Sequence, residues 1–154
     1  MQSTHISAQL RQLHLAVLDI VTVINRPQRD DVLIQAAGIA LDRALFPLLV
    51  RVERFGPIGV VDLAERVGRD YTTVSRQVAK LESLGLVKRQ NNARDSRIRE
   101  AVITRKGKAM TDRVDAAREK IARRVLKPWP ARDVEELVRL MRKFADAMES
   151  GTAE

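Results

Sequence analysis

The stretch of sequence that decides the fold is residues 59–85, GVVDLAERVGRDYTTVSRQVAKLESLG. Two short helices that pack together need a small residue where they touch and a glycine where the backbone between them turns left-handed. They also need an apolar residue that seats the second helix on the first. The sequence supplies these residues in order and so predicts a helix-turn-helix, with the roles filled by Leu63, Ala64, Gly68 and Val74.

The second helix of this motif, predicted over residues 71–84, has an apolar and a polar face. Asp70 or Thr72 can cap its start, and the inward positions are Val74, Val78, Leu81 and Leu84. The outward face carries hydroxyls, an amide and cations, the groups that contact base edges and phosphates in a major groove. An ordinary solvated helix face is the alternative interpretation. We expect base or base-adjacent contacts from Thr73, Arg76 and Gln77, and backbone contacts from Thr72, Ser75 and Lys80.

A basic β-hairpin is predicted to follow, with strands over residues 86–90 and 97–103 and a polar turn over 91–96. A carboxylate among arginines can pair with one of them and brace the tip, which leaves the others free for a minor groove. We interpret Asp95 as this brace and take Arg94, Arg97 and Arg99 as candidate DNA contacts. Spacing does not say which arginine enters the groove, and a plain exposed ion pair worth about 0–1 kcal/mol is the alternative.

Positive charge is concentrated in the same part of the chain. The 154 residues carry a formal net charge of +8, and residues 69–108 contain eleven Lys and Arg against four Asp and Glu. Nearly all of the excess positive charge therefore lies in about a quarter of the chain. A focused basic segment that coincides with a helix-turn-helix and a hairpin indicates a phosphate-binding surface.

The rest of the chain reads as helices, which makes the predicted fold mainly α with a small β-hairpin wing. Helices are predicted over residues 5–25, 41–55, 59–67, 104–127 and 131–149, and residues 28–39 are interpreted as a connection. Pro47 lies inside the second predicted helix. It should either kink that helix or mark its true start nearby.

The first and last predicted helices each carry a narrow apolar seam at heptad spacing. Apolar residues step by four and three, at Ile6, Leu10, Leu13, Val17, Ile20 and Ile24, and again at Val134, Leu137, Met141, Phe144 and Met148. One helix cannot bury such a seam alone. We favour packing between subunits over packing within one. The expected organisation is a dimerisation region, 1–30 and 109–154, around a winged helix-turn-helix DNA-binding domain, 40–108.

Several classes of function are disfavoured by composition. The chain has no cysteine, which removes disulfides, thiolate metal sites and thiol-based redox sensing. His5 and His14 fall on opposite faces of one helix, so we expect no metal site. No glycine-rich phosphate loop, His-Glu-x-x-His or Gly-x-Ser-x-Gly motif is present. We therefore predict no enzyme, no cofactor and, since the start lacks signal-peptide or membrane-span character, no membrane association and a cytoplasmic location.

At this point the sequence resembles the multiple-antibiotic-resistance regulator (MarR) family. The resemblance covers residues 40–108 closely and rests on four stretches: DLAERVG at 62–68, TVSRQV at 73–78, LESLGLV at 81–87, and Asp95-Ser96-Arg97 with Thr104 and Gly107 downstream. The flanking helices match in order and length. The resemblance implies a winged helix-turn-helix flanked by N- and C-terminal dimerisation helices.

The same resemblance implies a function for the whole chain. Members of the family bind pseudo-palindromic double-stranded DNA as homodimers, usually as transcriptional repressors that a small aromatic or anionic ligand relieves. Arg11, His14 and Arg43 are candidate ligand-binding residues. The alternative is a non-specific, architectural DNA-binding protein of the nucleoid type without effector control, which would bind any duplex alike.

Overall fold

The computed structural model describes residues 2–151, which form seven helices and three strands. The elements follow in the order α1 (Gln2–Ile24), α2 (Pro27–Ala37), α3 (Phe46–Phe55), β1 (Ile58–Gly59), α4 (Val60–Val67), α5 (Tyr71–Ser83), β2 (Val87–Asn91), β3 (Arg99–Ile103), α6 (Arg105–Leu126) and α7 (Ala131–Gly151). The predicted fold class, mainly α with a small wing, is confirmed. No helix among the described residues is both long and apolar enough to span a membrane.

Helix α2 lies where the sequence was interpreted as a connection, and that interpretation is wrong. Pro27 occupies the first turn, where its missing N–H costs nothing, and Asp30 adds negative charge to the same turn. The helix ends at Gly38, whose φ of 64° is the left-handed conformation that glycine adopts without strain. The sequence of α2 has only a weak apolar period, because Leu33 is the only residue of this helix that is buried, and the helix was therefore not predicted.

The start of α3 shows whether Pro47 kinks this helix or marks its beginning. The helix begins at Phe46, so Pro47 sits in the first turn and does not kink it. A turn precedes the helix instead of the predicted helical residues 41–45. In this turn the carboxylate of Asp42 accepts a hydrogen bond from the backbone N–H of Ala44 at 2.7 Å. The predicted start at residue 41 is therefore wrong, and the alternative of a start near the proline is confirmed.

The sheet is antiparallel, with β3 between β1 and β2. Lys88 pairs with Val102 in the hairpin, and on the other edge Ile58 pairs with Ala101. The two-residue strand β1 was not predicted, because a segment that short has no alternation to detect. The second hairpin strand begins at Arg99 and not at residue 97, since the turn extends through Ile98.

The core lies between α3, α4, α5 and the sheet. Its most deeply buried side chains are Leu48, Leu49, Val52, Leu63, Val74, Val78, Leu81, Leu86 and Val87. Helix α6 begins against this core, where Gly107 packs so closely on the carbonyl of Leu86 that a β-carbon would overlap it. These contacts hold α4 and α5 in a fixed relation to the hairpin.

The chain divides into two compact units, Met1–Ala117 and Arg118–Glu154. The first contains α1 to α5, the sheet and the first half of α6. The second contains the rest of α6 and α7, a helix in which no residue is buried. The predicted boundaries of a dimerisation region and a DNA-binding domain stay a prediction.

Candidate DNA-binding surface

The turn between α4 and α5 has the geometry that the sequence predicted. Gly68 is left-handed, with φ of 67°, and its N–H donates to the carbonyl of Glu65 at 3.2 Å. The next N–H, of Arg69, donates to the carbonyl of Ala64 at 3.1 Å. Leu63 and Val74 are completely buried where the two helices meet. The helix-turn-helix therefore presents the outer face of α5 to solvent as a rigid unit.

Asp70 is the N-cap of α5. Its carboxylate accepts from the backbone N–H of Thr73 at 2.9 Å and from the hydroxyl of Thr73 at 2.6 Å. These hydrogen bonds, the hydroxyl's first, lower the pKa of Asp70 below its ordinary value. The only hydroxyl proton of Thr73 is therefore already donated to the carboxylate of Asp70. Towards DNA it can still accept a hydrogen bond, but it can donate one only by breaking the cap.

The outer face of α5 holds the six predicted contact residues. Thr72, Arg76 and Lys80 are exposed, whereas Thr73, Ser75 and Gln77 are half-buried. Arg76, Gln77 and Lys80 also line a shallow depression of about 250 Å³ against the turn that precedes α3. The most protruding groups are therefore two cations and a hydroxyl, suited to phosphates and base edges.

Arg69 contacts this face and was not assigned a role from the sequence. Its Nη1 donates to the side-chain carbonyl Oε1 of Gln77 at 2.9 Å and to the backbone carbonyl of Ala44 at 2.7 Å. The signal available in the sequence was an arginine directly after the motif's glycine. It was counted only as part of the basic segment.

The tip of the wing is organised by two side chains. The amide oxygen of Asn92 accepts from the backbone N–H groups of Arg94 and Asp95 at 2.8 and 3.0 Å. The carboxylate of Asp95 accepts from Nε and Nη2 of Arg97, both at 3.0 Å, in a bidentate pair. These side-chain hydrogen bonds lower the pKa of Asp95 and raise the pKa of Arg97. Asp95 and Arg97 thus form an exposed ion pair in which the Arg97 side chain stays 88% exposed, and the role of Asp95 as a brace stays a prediction.

Asn92 has a further partner that sequence reasoning missed. Its amide nitrogen donates to Glu100, a carboxylate buried at the base of the wing. Arg94 and Arg99 are both exposed beside it. One asparagine thus joins the turn to the strand that carries Arg99.

A groove of about 590 Å³ lies between the wing and the start of α5. Tyr71 and Ser75 line it from the helix, and Arg97 and Arg99 line it from the wing. Of the predicted contact residues, Ser75, Arg97 and Arg99 thus border one concave surface, whereas Arg76, Gln77 and Lys80 line the separate depression beside the turn before α3. The cations of the groove, Arg89, Arg97 and Arg99, all come from the wing, and cationic groups of this kind suit a nucleic acid backbone.

The comparisons with known proteins decide the family. A family model described as HVO_A0114 matches residues 41–100. The HTH-type transcriptional regulator YxaD of Bacillus subtilis is 34% identical over 107 residues, which cover 70% of this chain and 75% of YxaD. The chain belongs to the HTH-type transcriptional regulators. A regulator of this class is not an enzyme, as the sequence predicted.

Solved structures give the fold of the regulator. A MarR family protein from Bacillus stearothermophilus superposes with a TM-score of 0.74 at 20% identity, over 93% of this chain and 97% of that one. A probable transcriptional regulator from Pseudomonas aeruginosa superposes with a TM-score of 0.54 at 25% identity, over 81% and 96% of the two chains. The regulator therefore has the MarR fold, which confirms the resemblance read from the sequence.

The three residues predicted to bind an effector lie on α1 and in the turn before α3. Arg11 and His14 are exposed on α1. Arg43 lies in the turn before α3 and forms an ion pair with Asp31 of α2 at 3.0 Å. None of the three lines the groove or the depression described above. Their role stays a prediction.

Burial shifts two pKa values near this turn. Partial burial and the neighbouring charge of Asp31 raise the pKa of Asp30, and partial burial, followed by the charge of Arg69, lowers the pKa of Arg51. The charged groups of α2, α3 and the turn after α4 therefore lie close enough to interact electrostatically.

Among the described residues, no cluster of His, Asp and Glu is placed to hold a metal ion.

Proposed function

We propose that this regulator binds double-stranded DNA sequence-specifically, with α5 in a major groove and the wing on the adjacent backbone or minor groove. The observation that carries the proposal is the shared concave surface of α5 and the wing, with Arg97 and Arg99 on one wall and Ser75 on the other. Base contacts come from Arg76, Gln77 and Thr73. Backbone contacts come from Thr72, Ser75 and Lys80, and the wing arginines Arg94, Arg97 and Arg99 add charge at the edge.

We further propose that the regulator acts as a homodimer on a pseudo-palindromic operator. On α1 the seam residues Ile6 and Leu10 are 55% and 58% exposed, and on α7 Met148 is 55% exposed. Apolar residues that recur at heptad spacing and stay this exposed need a second apolar surface to cover them. A dimer would place two α5 helices on half-sites about one helical turn, roughly 34 Å, apart.

Repression relieved by a small aromatic or anionic ligand is the mode of control that we propose. The support is the MarR fold together with Arg11 and His14 on α1 and Arg43 before α3, side chains that can bind an aromatic or anionic group. A ligand can change operator affinity only if it binds one spacing of the two α5 helices better than the other. The test is operator binding in the presence of a metabolite panel, and operator affinity that no compound shifts would reject ligand control.

The experiment for DNA recognition compares the regulator's own promoter region with an unrelated duplex at about 150 mM salt, with a salt titration. A preference for the promoter of at least about 10³-fold would establish sequence-specific regulation. Arg76→Ala should lower this preference. Arg132→Ala, which removes an exposed arginine of α7 that lines neither the groove nor the depression, is the charge-matched control and should leave the preference unchanged.

A non-specific architectural role is the second candidate, because most of the net positive charge lies in residues 69–108. A basic surface alone binds any duplex through counterion release. Equal and steeply salt-dependent affinity for both duplexes in the same experiment would establish this role and reject the sequence-specific one.

A further inference from the structure

Resting on the proposed function, we infer that Arg69 is a positioning residue that sets how Gln77 reads a base. It holds the amide of Gln77 so that the NH₂ group, and not the carbonyl oxygen, is offered to the major groove. Gln77 then recognises hydrogen-bond acceptors on the base edge. The preference of the regulator at one operator position would depend on a residue that does not itself touch the base.

The geometry fixes Arg69 at both ends of its contact. Its Nη1 lies 2.9 Å from Oε1 of Gln77 and 2.7 Å from the carbonyl oxygen of Ala44. Ala44 belongs to the turn before α3, whose backbone is anchored by the carboxylate of Asp42. Arg69 itself is placed by the backbone hydrogen bond of the turn to Ala64. The guanidinium is therefore held between the backbone carbonyl of Ala44 and the half-buried amide of Gln77, and the backbone of Arg69 is held by Ala64.

The chemistry of the pair decides the orientation of the amide. A guanidinium has only donors, so it is the oxygen of Gln77 that must face Arg69. The two N–H groups of Gln77 then point away from Arg69. A hydrogen bond to a charged donor is also stronger than one between neutral groups, which opposes rotation of the amide.

This orientation has a consequence for the base that Gln77 meets. Guanine, thymine and adenine each present an acceptor in the major groove, whereas the distinguishing group of cytosine there is the N4 amino donor. A donor-only Gln77 therefore discriminates against cytosine. Glutamine that is free to rotate would instead make the bidentate contact with adenine, which uses both the amide nitrogen and the amide oxygen.

The test selects binding sites from a pool of randomised duplexes with the full-length chain and three variants, Gln77→Ala, Arg69→Ala and the double variant. With the wild-type chain we expect cytosine to be depleted about tenfold at one position of each half-site. Gln77→Ala should remove this depletion. Arg69→Ala should convert it into a preference for adenine, and the double variant should match Gln77→Ala. The other positions of the motif serve as the internal control.

Gln77→Glu is a second variant, in which a carboxylate oxygen still faces Arg69, so the contact with Arg69 is retained. This variant tests the inference independently if Arg69→Ala does not fold. A glutamate offers DNA acceptors only, and we expect selection to switch to cytosine at the same position. The inference is overturned if Gln77→Ala selects the same bases as the wild type, or if Gln77→Glu does not switch. It is also overturned if folded Arg69→Ala leaves that position unchanged, or if its effect persists in the double variant. A wild-type pool without any motif would reject the proposed function and the inference together.

Discussion

The guanidinium of Arg97 at the tip of the wing is held by a neighbouring carboxylate. Its Nε and one N–H of Nη2 donate to the carboxylate of Asp95, which leaves three N–H donors, one on Nη2 and two on Nη1, for other partners. The exposed pair adds little stability. Its use is geometric, because a guanidinium already held in one orientation loses less entropy when it meets a phosphate or the edge of a minor groove.

Replacing Arg97 with alanine should weaken binding to every duplex. If the residue contacts a phosphate, the slope of log affinity against log salt should fall by about one. The measurement is a salt titration of DNA affinity for the wild-type chain and the variant, with Arg132→Ala as control. An unchanged slope would reject the wing assignment.

Asp70 should make the stability of the protein depend on pH. Its pKa in the folded state lies below the ordinary value, mainly because the Thr73 hydroxyl and N–H bind the ionised form. The stability that it contributes is therefore present above the unfolded pKa of about 3.9 and is lost as the pH falls through the folded pKa. Asp70→Asn keeps the cap geometry but not the charge. We expect thermal unfolding to show a wild-type advantage at neutral pH that shrinks below about pH 4, and a difference that does not change with pH would contradict the assignment.

At the residue scale, side chains with local partners were predictable and those with distant partners were not. The N-cap of α5, which the sequence left between Asp70 and Thr72, is Asp70, and Asp95 pairs with Arg97; both contacts join residues two or three positions apart. The contact from Arg69 to Ala44 spans 25 residues and depends on how α3 docks on the helix-turn-helix. No periodicity or local propensity reports such a contact.

At the scale of elements, the strongly amphipathic helices were predicted to within a few residues, and the weakly patterned ones were missed. Helices α5, α6 and α7 were predicted from apolar periods and from capping or breaking residues. Helix α2 has almost no apolar period, yet Pro27 at its start and Gly38 after its end were readable signals. Strand β1 exists only because β3 supplies its hydrogen-bond partners.

The junction between the wing and α6 should be intolerant of any added side chain. A β-carbon on Gly107 would overlap the backbone carbonyl of Leu86 and crowd Ile103. We expect Gly107→Ala to lower the free energy of unfolding by about 1–3 kcal/mol through overpacking, although alanine favours helix over glycine by up to about 1 kcal/mol. Gly151→Ala, in open space on α7, is the matched control. Chemical denaturation measures both, and a Gly107→Ala chain as stable as the wild type would refute the close packing.

At the scale of the whole molecule, the exposed apolar seams predict how the chain assembles. Leu10 and Leu13 of α1 are 58% and 43% exposed. We expect Leu10→Glu and Leu13→Glu together to give a monomer in sedimentation experiments, because charge cannot be buried unpaired in an apolar interface. Gln12→Glu adds a charge on the same helix outside the seam and should leave the wild-type assembly intact. A paired variant that still sediments as the wild type would place the interface elsewhere.

A dimer formed through the exposed seam of α1 would also tie the function of the protein to its abundance. If two chains must meet before both half-sites can be filled, the concentration of binding-competent protein rises as the square of the free chain at low expression. Promoter occupancy would then change over a narrower range of synthesis rates than a monomeric binder allows. A modest change in expression or turnover would switch the regulated gene without any signal molecule.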